Sequence, residues 1–319
     1  MFRSWFEIEK VKEAAERIRR LEVQGATNVA LTAVRALVEQ VKVSEARDRS
    51  SVLEEITEAK EILFRSRVTE PFMRNAVRYI EWRVRKAEWQ NVEELRGLVQ
   101  DVSENLIEKF KEARKKITEI GSRRILSGTM ILTHCHSSTV TDVLKKAKKR
   151  GVDFKVLCTE SRPVYQGRIT AREVLEEGIE TTMIVDSAVR SFIKQVDLVF
   201  VGADAITSEG NVINKIGSSL VALAAHEARV PFYVITELLK FDPQTIYGDY
   251  ETIEERPTTE VWPEAPKRLT IRNPAFDVTR RDYIHGIICE EGVISPHSIL
   301  ETIRRSYSWI LEYAGSSVF

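Results

Sequence analysis

The sequence predicts an α/β protein in which a helical N-terminal domain precedes a Rossmann-like domain built on a parallel sheet. Two observations support this class. From about residue 10 to residue 123 the chain is highly charged, and apolar residues recur at intervals of three and four, which places them on one face of a helix. From residue 124 onward, short continuous apolar runs alternate with helical patterns, as in parallel sheets covered on both faces.

The N-terminal domain, residues 1–123, is expected to be helical. The segments VKEAAERIRRLEV, VALTAVRALVEQV and LEEITEAKEILF repeat apolar residues with helical spacing. Ser51 followed by Glu54 has the spacing of a capping box, and Asn91 is placed to begin a long helix that Gly121 would end. Most charged residues in this half are expected to form the solvated faces of these helices.

The C-terminal domain, residues 124–319, is expected to supply the sheet. Thr170 with Glu173 predicts a second capping box, and Gly151 and Gly178 stand where helices should end. Residues 241–275 contain five prolines and predict an irregular excursion before a last strand. The expected strands are residues 129–134, 153–160, 181–186, 197–204, 231–237 and a last one near 285–291, and the expected helices are 139–150, 170–178, 187–195 and 218–229.

Composition argues against several classes of partner. The 48 basic and 48 acidic residues balance, so nucleic acid and anionic membranes are not expected partners. No run approaches the ~20 apolar residues of a membrane span, and the N-terminus becomes charged too early for a secretory signal, so we expect a cytoplasmic protein. Cys135, Cys158 and Cys289 are far apart with no C-x-x-C, which indicates neither a disulfide framework nor a structural zinc site.

Polar residues follow each expected strand, at the edge where open parallel sheets bind their ligands. Singly, each is explained by an ordinary turn or a helix cap, but together they would line one rim. They are His134, Cys135 and His136 after the first strand, Thr159, Glu160 and Ser161 after the second, Asp186 and Ser187 after the third, Gly202, Ala203 and Asp204 after the fourth, and Thr236 and Glu237 after the fifth.

Two expected helices begin with small residues at this rim. Ser137 and Ser138 begin the helix after the first strand, and residues 217–219 begin a later one that Asn214 and Lys215 precede. The unpaired amides and the dipole at a helix start attract anions. A plain capped helix explains either start equally well, but both starts together with Lys215 favour a phosphorylated ligand.

Cys135 and Asp204 form a candidate acid–base pair. Cys135 lies beside the first helix start, where we expect a lowered pKa and a raised thiolate fraction. Asp204 ends an apolar run with no adjacent basic residue, an environment that would keep its carboxyl group protonated for acid catalysis. The alternative is a small buried thiol and a capping aspartate.

The HCH triplet also admits a metal interpretation, because His134 and His136 are two apart on an extended chain. A metal site needs three or four converging ligands, and His226, His285 and His297 offer no ligand spacing. We therefore expect no metal at this position.

The segments THCHSS, TESRPVYQGR, VGADAI, NKIGSS and NPAFDVT follow the helical domain in this order. With them the chain resembles the superfamily that joins the regulatory subunits of translation initiation factor 2B with two sugar-phosphate isomerases. Those act on methylthioribose 1-phosphate and, in archaea, on ribose 1,5-bisphosphate. The resemblance covers almost the whole chain, and THCHS looks like the ribose-1,5-bisphosphate form, since the methylthioribose enzymes usually carry asparagine at the position of His136.

The resemblance implies an aldose–ketose isomerase that converts ribose 1,5-bisphosphate to ribulose 1,5-bisphosphate in archaeal AMP salvage, without metal or redox cofactor. Cys135 would remove the C2 proton, and Asp204 would shuttle a proton between the C1 and C2 oxygens. Carried over position by position, the substrate-binding residues would be Gly25, Ala26, Arg67, Ser137, Asn214, Lys215 and Lys240.

Two stretches depart from the isomerase pattern. The usual Arg-Gly-Ala is Gln24-Gly25-Ala26 here, and the usual Arg-Pro-Thr is Arg67-Val68-Thr69. Because one expected phosphate contact is then missing, either the substrate differs or another cation substitutes, for which Arg168 is the candidate.

The resemblance leaves two other functions open. One is a non-catalytic regulatory subunit related to initiation factor 2B, and the other is a methylthioribose-1-phosphate isomerase, which would need an apolar pocket in place of a second phosphate site. A homodimer or homohexamer formed through the C-terminal domain is implied as well, and activation by AMP stays open.

Overall fold

The chain forms two compact units in the computed structural model, which describes residues 8–67, 69–249 and 252–316 and confirms the α/β class. The helical unit comprises Met1–Glu112 and Arg304–Phe319, and the sheet unit comprises Ala113–Ile303. These units differ from the ranges 1–123 and 124–319 in two ways, because the division falls within α5 after Glu112 and the end of the chain groups with the helices. As a division by function, those ranges stay a prediction. Val68, one of the two departures noted above, lies outside the described residues.

The helical unit follows from the apolar spacing of its sequence. Ile56 and Leu63, two turns apart on one helix, are fully buried, as the periodicity requires. The helices are α1 (Glu9–Arg19), α2 (Ala26–Val43), α3 (Arg49–Ser66), α4 (Pro71–Lys86) and the first part of α5 (Val92–Ser122).

Side-chain caps set the starts of α3 and α5, and the sequence pattern places the first of these caps wrongly. Asn91 caps α5, since its Oδ1 accepts a 2.9 Å hydrogen bond from the Glu94 amide. The predicted Ser51–Glu54 box is wrong, because α3 already begins at Arg49. Asp48 is the N-cap, and its Oδ1 accepts from the Ser51 amide at 2.9 Å.

The larger sheet has the order β10-β9-β7-β4-β1-β2-β3 among the described residues, and it is parallel except for the β9–β10 pair. The six predicted strands are present as β1 to β4, β7 and β9. The strands are β1 (Met130–Thr133), β2 (Lys155–Thr159), β3 (Glu180–Ile184), β4 (Leu198–Val201), β5 (Ala205–Ile206), β6 (Val212–Lys215), β7 (Phe232–Ile235), β8 (Phe276–Thr279), β9 (Gly286–Cys289) and β10 (Gly292–Ile294).

Helices pack on this sheet and bury its apolar side chains, with Ile131, Val156 and Phe200 in the core. Gly151 and Gly178 end α6 and α7 as predicted, with φ of +80° and +73°. The Thr170–Glu173 capping box is wrong, because α7 begins three residues before Thr170. The helices are α6 (Ser138–Lys149), α7 (Gly167–Glu176), the short α8 (Val189–Phe192), α9 (Ser218–Ala228) and α10 (Ile299–Ser306).

A second, antiparallel sheet of β5, β6 and β8 was not predicted. Its strands are short, and β6 ends in the polar residues Asn214 and Lys215, so no apolar run marks them in the sequence. In the ladder Lys215 pairs with Phe276 of β8. This small sheet therefore places Lys215 beside the larger one.

The last helix, α11 (Ser308–Ser316), belongs to the helical unit because of a buried carboxylate. Glu81 of α4 is 1% exposed and accepts a 2.6 Å hydrogen bond from the Tyr313 hydroxyl. Lys60 lies 2.8 Å from the same carboxylate. Among the described residues, no helix is long and apolar enough to cross a membrane.

Candidate active site

The carboxyl end of β1 places Cys135 at the centre of the rim, between the ends of β2 and β4. Its backbone is left-handed, with φ of +68°, which is unusual for a residue other than glycine. The Cys135 amide donates to Ser161 Oγ at 2.7 Å, and its carbonyl accepts from Thr170 Oγ1 at 2.9 Å. Both neighbours come from the connection and helix that follow β2.

The thiol of Cys135 is protonated at neutral pH. Burial raises its pKa to about 12, although the positive charge of Lys215 acts in the opposite direction. Asp204 and Asp186 raise the pKa further. The expectation of a lowered pKa is therefore wrong, because the loss of solvent outweighs the positive charge of Lys215.

Asp204 and Lys215 complete the cluster around this thiol. The Asp204 amide donates to the Ile213 carbonyl at 2.8 Å, which fixes the end of β4 against β6. Lys215 is 4% exposed, burial lowers its pKa, and it interacts electrostatically with both Cys135 and Asp204. Asp204 thus has a basic neighbour after all, one that lies eleven positions away in the sequence and reaches the rim from the small sheet.

The two histidines of the HCH triplet point to different partners. His134 Nε2 lies 2.8 Å from the Ile216 carbonyl oxygen, which can only accept, so Nε2 carries the proton. Burial lowers the pKa of His134, and the neutral ring accepts from Thr159 Oγ1 at Nδ1, 2.7 Å away. His136 instead lies beside Thr170, at 3.1 Å. No group of three or more potential metal ligands occurs among the described residues.

The two helix starts at the rim differ. Ser137 Oγ caps α6 through a long 3.4 Å bond from the Val140 amide, and Ser138 is exposed. At the start of α9, the Asp277 carboxylate accepts from the Gly217 amide at 2.8 Å and from the Ser219 amide at 3.1 Å. The predicted anion site at α9 is therefore already filled by the chain's own carboxylate.

Gly217 is required at this α9 start. Its φ is +104°, and a Cβ there would lie 2.9 Å from His134 Cε1. The neighbouring Asn214 is also engaged within the protein, since its amide donates to Ser218 Oγ at 2.8 Å. These contacts hold the Lys215 backbone from both sides.

The remaining predicted residues fall into two groups. Lys240, in the sheet unit, donates to the Ala203 carbonyl at 2.8 Å and pairs with buried Glu237 at 3.3 Å. Arg168 is 57% exposed, and its guanidinium lies 3.8 Å from the centre of the Tyr165 ring. Gly25, Ala26 and Arg67 belong to the helical unit, where Gly25 precedes α2 with φ of +84° and Arg67 follows α3.

Sequence reasoning missed three residues that shape this site, namely Ser161 as a partner of Cys135, Thr170, and Asp277. The sequence places Ser161 at the rim without a role and assigns Thr170 to a helix cap. Asp277 lies within the NPAFDVT segment, which carried the resemblance, but nothing local indicated that it reaches the start of α9.

Comparison with known proteins supports the resemblance that the sequence motifs indicate. The chain is 46% identical over 309 residues to a ribose 1,5-bisphosphate isomerase of Archaeoglobus fulgidus, covering 96% of each chain. It is 40% identical to a protein of the same name from Thermococcus kodakarensis, covering 96% of this chain and 97% of that one. The crystal structure of translation initiation factor eIF-2B from Pyrococcus horikoshii OT3 superposes with a TM-score of 0.78 at 33% identity, over 90% of this chain and 98% of that one. The sequence profile of the initiation factor 2 subunit family matches residues 22–296, and the chain belongs to this family.

Proposed function

We propose that the protein is an aldose–ketose isomerase that converts ribose 1,5-bisphosphate to ribulose 1,5-bisphosphate. The observation that carries this proposal is the cluster of Cys135, Asp204 and Lys215 at the rim, in a chain 46% identical to a relative of that name. An isomerase of this kind needs one group that moves a proton between carbons and another that serves the oxygens. A thiol and a carboxylate beside a lysine supply both.

The reactive protonation state forms by one proton transfer within the cluster. At rest the thiol is protonated, as its pKa of about 12 requires. Movement of the thiol proton to the Asp204 carboxylate gives a thiolate and a carboxylic acid without changing the total charge. Lys215 favours the thiolate, because its positive charge lowers the pKa of Cys135.

The sequence-based role of Asp204 needs revision, because O1 of this substrate carries a phosphate ester and cannot exchange a proton. Instead, Asp204 donates a proton to the ring oxygen as the bond from C1 to that oxygen breaks. The thiolate of Cys135 takes the C2 proton, which leaves an enol between C1 and C2. The thiol then returns this proton to C1 while Asp204 accepts the O2 proton, so that ribulose 1,5-bisphosphate is released and both residues regain their starting state.

We also propose which residues contact the phosphate groups of the substrate. The start of α6 at Ser137 and the ammonium group of Lys215 would bind one phosphate and the reacting end of the sugar. Gly25, Ala26, Arg67, Asn214 and Lys240 are proposed substrate contacts on the resemblance alone, and Arg168 is proposed as the cation that replaces the arginine absent at Gln24. Unchanged substrate affinity in Arg168→Ala would remove Arg168 from this set.

The test is turnover of ribose 1,5-bisphosphate, followed by coupled carboxylation of the product, with methylthioribose 1-phosphate run in parallel. We expect Cys135→Ser and Asp204→Asn each to lower kcat by about 100-fold or more with KM little changed, the range for loss of general acid–base catalysis. Cys158→Ala, which alters a fully buried thiol of β2, is the matched control and should keep kcat within about twofold.

Three outcomes would contradict the proposal. Full activity of Cys135→Ser would remove the assigned role of the thiol. Turnover of methylthioribose 1-phosphate alone would change the substrate. Binding of a sugar phosphate without turnover of either sugar would favour a regulatory subunit.

Partners and regulation are proposed from the resemblance. We propose a homodimer or homohexamer, which sedimentation equilibrium would distinguish from a monomer. We also propose that AMP activates turnover, and an unchanged kcat/KM in saturating AMP would contradict this. Nucleotide salvage within the cytoplasm is the proposed setting.

A further inference from the structure

We propose that Ser161 and Thr170 are positioning residues whose hydroxyl groups hold Cys135 in its left-handed conformation and thereby aim its thiol at the reacting carbons. The inference rests on the proposed function, since it assigns the thiol its role. Neither hydroxyl is given a part in proton transfer.

Cys135 needs to be held, because its conformation is unfavourable for a residue with a side chain. At φ of +68° the Cβ crowds the following carbonyl oxygen, and a free cysteine would relax to negative φ. Ser161 and Thr170 restrain the two peptide groups that flank its Cα. Ser161 Oγ accepts from the amide at 2.7 Å, and Thr170 Oγ1 donates to the carbonyl at 2.9 Å. Together these two hydrogen bonds prevent the backbone of Cys135 from rotating to negative φ.

Ser161 is itself fixed before it can fix Cys135. It is fully buried, and its own φ is +61°. The Asp186 carboxylate after β3 accepts from the Ser161 amide at 2.8 Å and from the Arg162 amide at 2.7 Å. Ser161, which accepts from the Cys135 amide, is thus held by a residue that follows a different strand of the sheet.

The donors and acceptors around Ser161 run in one direction. His134 donates Nε2–H to the Ile216 carbonyl, so its Nδ1 must accept from the Thr159 hydroxyl, 2.7 Å away. Because the Thr159 hydroxyl donates its proton to His134, the Thr159 oxygen accepts from the Ser161 hydroxyl at 3.2 Å. Ser161 in turn accepts from the Cys135 amide.

This chain of hydrogen bonds connects the backbone of Cys135 to the residue that follows Lys215. Each hydroxyl donates once and accepts once, so the arrangement leaves no unpaired proton along it. The backbone that carries the thiol and the segment that carries the ammonium group are therefore held in one register. His134 is the member of the HCH triplet that makes this connection.

On the carbonyl side of Cys135, the Thr170 hydroxyl also donates one hydrogen bond and accepts one. Its hydroxyl proton goes to the Cys135 carbonyl, so it accepts from His136 Nδ1 at 3.1 Å. A valine has the same shape but offers neither a donor nor an acceptor, whereas a serine keeps both. Thr170→Val and Thr170→Ser together therefore distinguish the effect of the hydroxyl group from the effect of methyl-group packing.

The experiment compares Thr170→Val, Thr170→Ser and Ser161→Gly with the wild type in the ribose 1,5-bisphosphate assay. A displacement of the thiol by about 1 Å is enough to lower kcat by tenfold or more, so Thr170→Val should lose at least about tenfold in kcat. KM should stay within about twofold, because the substrate contacts are intact. Thr170→Ser should keep kcat within about threefold of the wild type.

Ser161→Gly is the second variant because glycine adopts positive φ without strain and should fold where Thr170→Val fails. It removes the acceptor of the Cys135 amide, and we expect a loss of kcat similar to that of Thr170→Val. Thr302→Val is the matched control, since the buried Thr302 hydroxyl also donates to a backbone carbonyl at 2.9 Å, in α10. Its kcat should not change.

Crystal structures of the same variants separate this inference from the proposed function. If wild-type protein does not turn over ribose 1,5-bisphosphate, the proposed function fails, and the backbone of Cys135 still tests the positioning role. A negative φ at Cys135 in Thr170→Val or Ser161→Gly supports it. Wild-type kcat in a folded Thr170→Val or Ser161→Gly, or Cys135 at unchanged φ with Sγ unmoved in both, would overturn it.

Discussion

The starts of α6 and α9 look alike in the sequence but differ in the folded protein. Each helix begins with small residues at the rim, and each was expected to bind an anion. At α9 the carboxylate of Asp277 already accepts from the Gly217 and Ser219 amides. Within the described ranges, no carboxylate forms a hydrogen bond with an amide at the start of α6, where Ser138 stays exposed.

A helix start is available to a ligand only when the chain leaves it unfilled. A carboxylate tethered by the fold is present at very high effective concentration, so a free phosphate competes poorly with Asp277. The α9 start therefore stabilises the position of Lys215, and the α6 start is the one proposed to bind a substrate phosphate. Four measurements test this difference between the two helix starts.

The largest effect concerns the thiol beside the α6 start. Because burial raises the pKa of Cys135 to about 12, its thiolate fraction should rise about tenfold per pH unit, or about 100-fold from pH 7 to pH 9. The rate of iodoacetamide labelling of Cys135, read by mass spectrometry of its peptide, should follow this slope. A plateau below pH 8 would show that the dipole of α6 controls the thiol after all. Cys135→Ser identifies the labelled peptide.

Removal of the α9 cap should cost stability. Asp277→Ala leaves the amides of Gly217 and Ser219 without their acceptor, and we expect a loss of about 2 kcal/mol in the free energy of unfolding. Urea denaturation measures it. Asp282→Ala, which removes a carboxylate from an exposed ion pair with Arg280, should change stability by less than about 0.5 kcal/mol. Equal effects of the two substitutions would contradict the capping role.

Filling the α6 start should make it resemble the α9 start. Ser138→Asp places a carboxylate at the first residue of the helix, where it would compete with a substrate phosphate and raise KM by about tenfold with kcat unchanged. Ser308→Asp makes the same substitution at the exposed first residue of α11 and should leave KM unchanged. An unaltered KM in Ser138→Asp would show that no phosphate binds at α6.

The smallest effect is the pH dependence that Asp277 adds. Burial raises its pKa above the ordinary value, although bonds from Ser219 and Gly217 act against this. The folded state then binds the proton more tightly than the unfolded state, so stability falls as pH rises through the window just above the ordinary carboxyl range. Relative to Asp277→Asn, the wild type should lose stability between pH 4 and pH 6, as urea denaturation at the two pH values measures. A wild-type advantage that grows with pH would reverse the sign.

Local patterns were sufficient for six strands of the larger sheet, all but β10, and for the rim. Runs such as MILT and LVFV are short, apolar and separated by helices, so their burial in a parallel sheet follows from the sequence alone. Parallel strands end at one edge, which is why Cys135 and Asp204 were correctly expected at the same rim. The small sheet was missed because β5 has only two residues and β6 ends in the polar residues Asn214 and Lys215, so neither forms an apolar run.

The α/β class, six strands, the family, and the place of Cys135 and Asp204 at one rim follow from the sequence alone. Only the tertiary structure decided the state of these groups. Asp277 fills a helix start 60 positions earlier in the chain, and Lys215 becomes the basic neighbour of Asp204 through a sheet that no local pattern announces. Burial, which raises the pKa of Cys135, depends on all the segments packed around this residue, and a pKa responds to that whole environment rather than to adjacent residues.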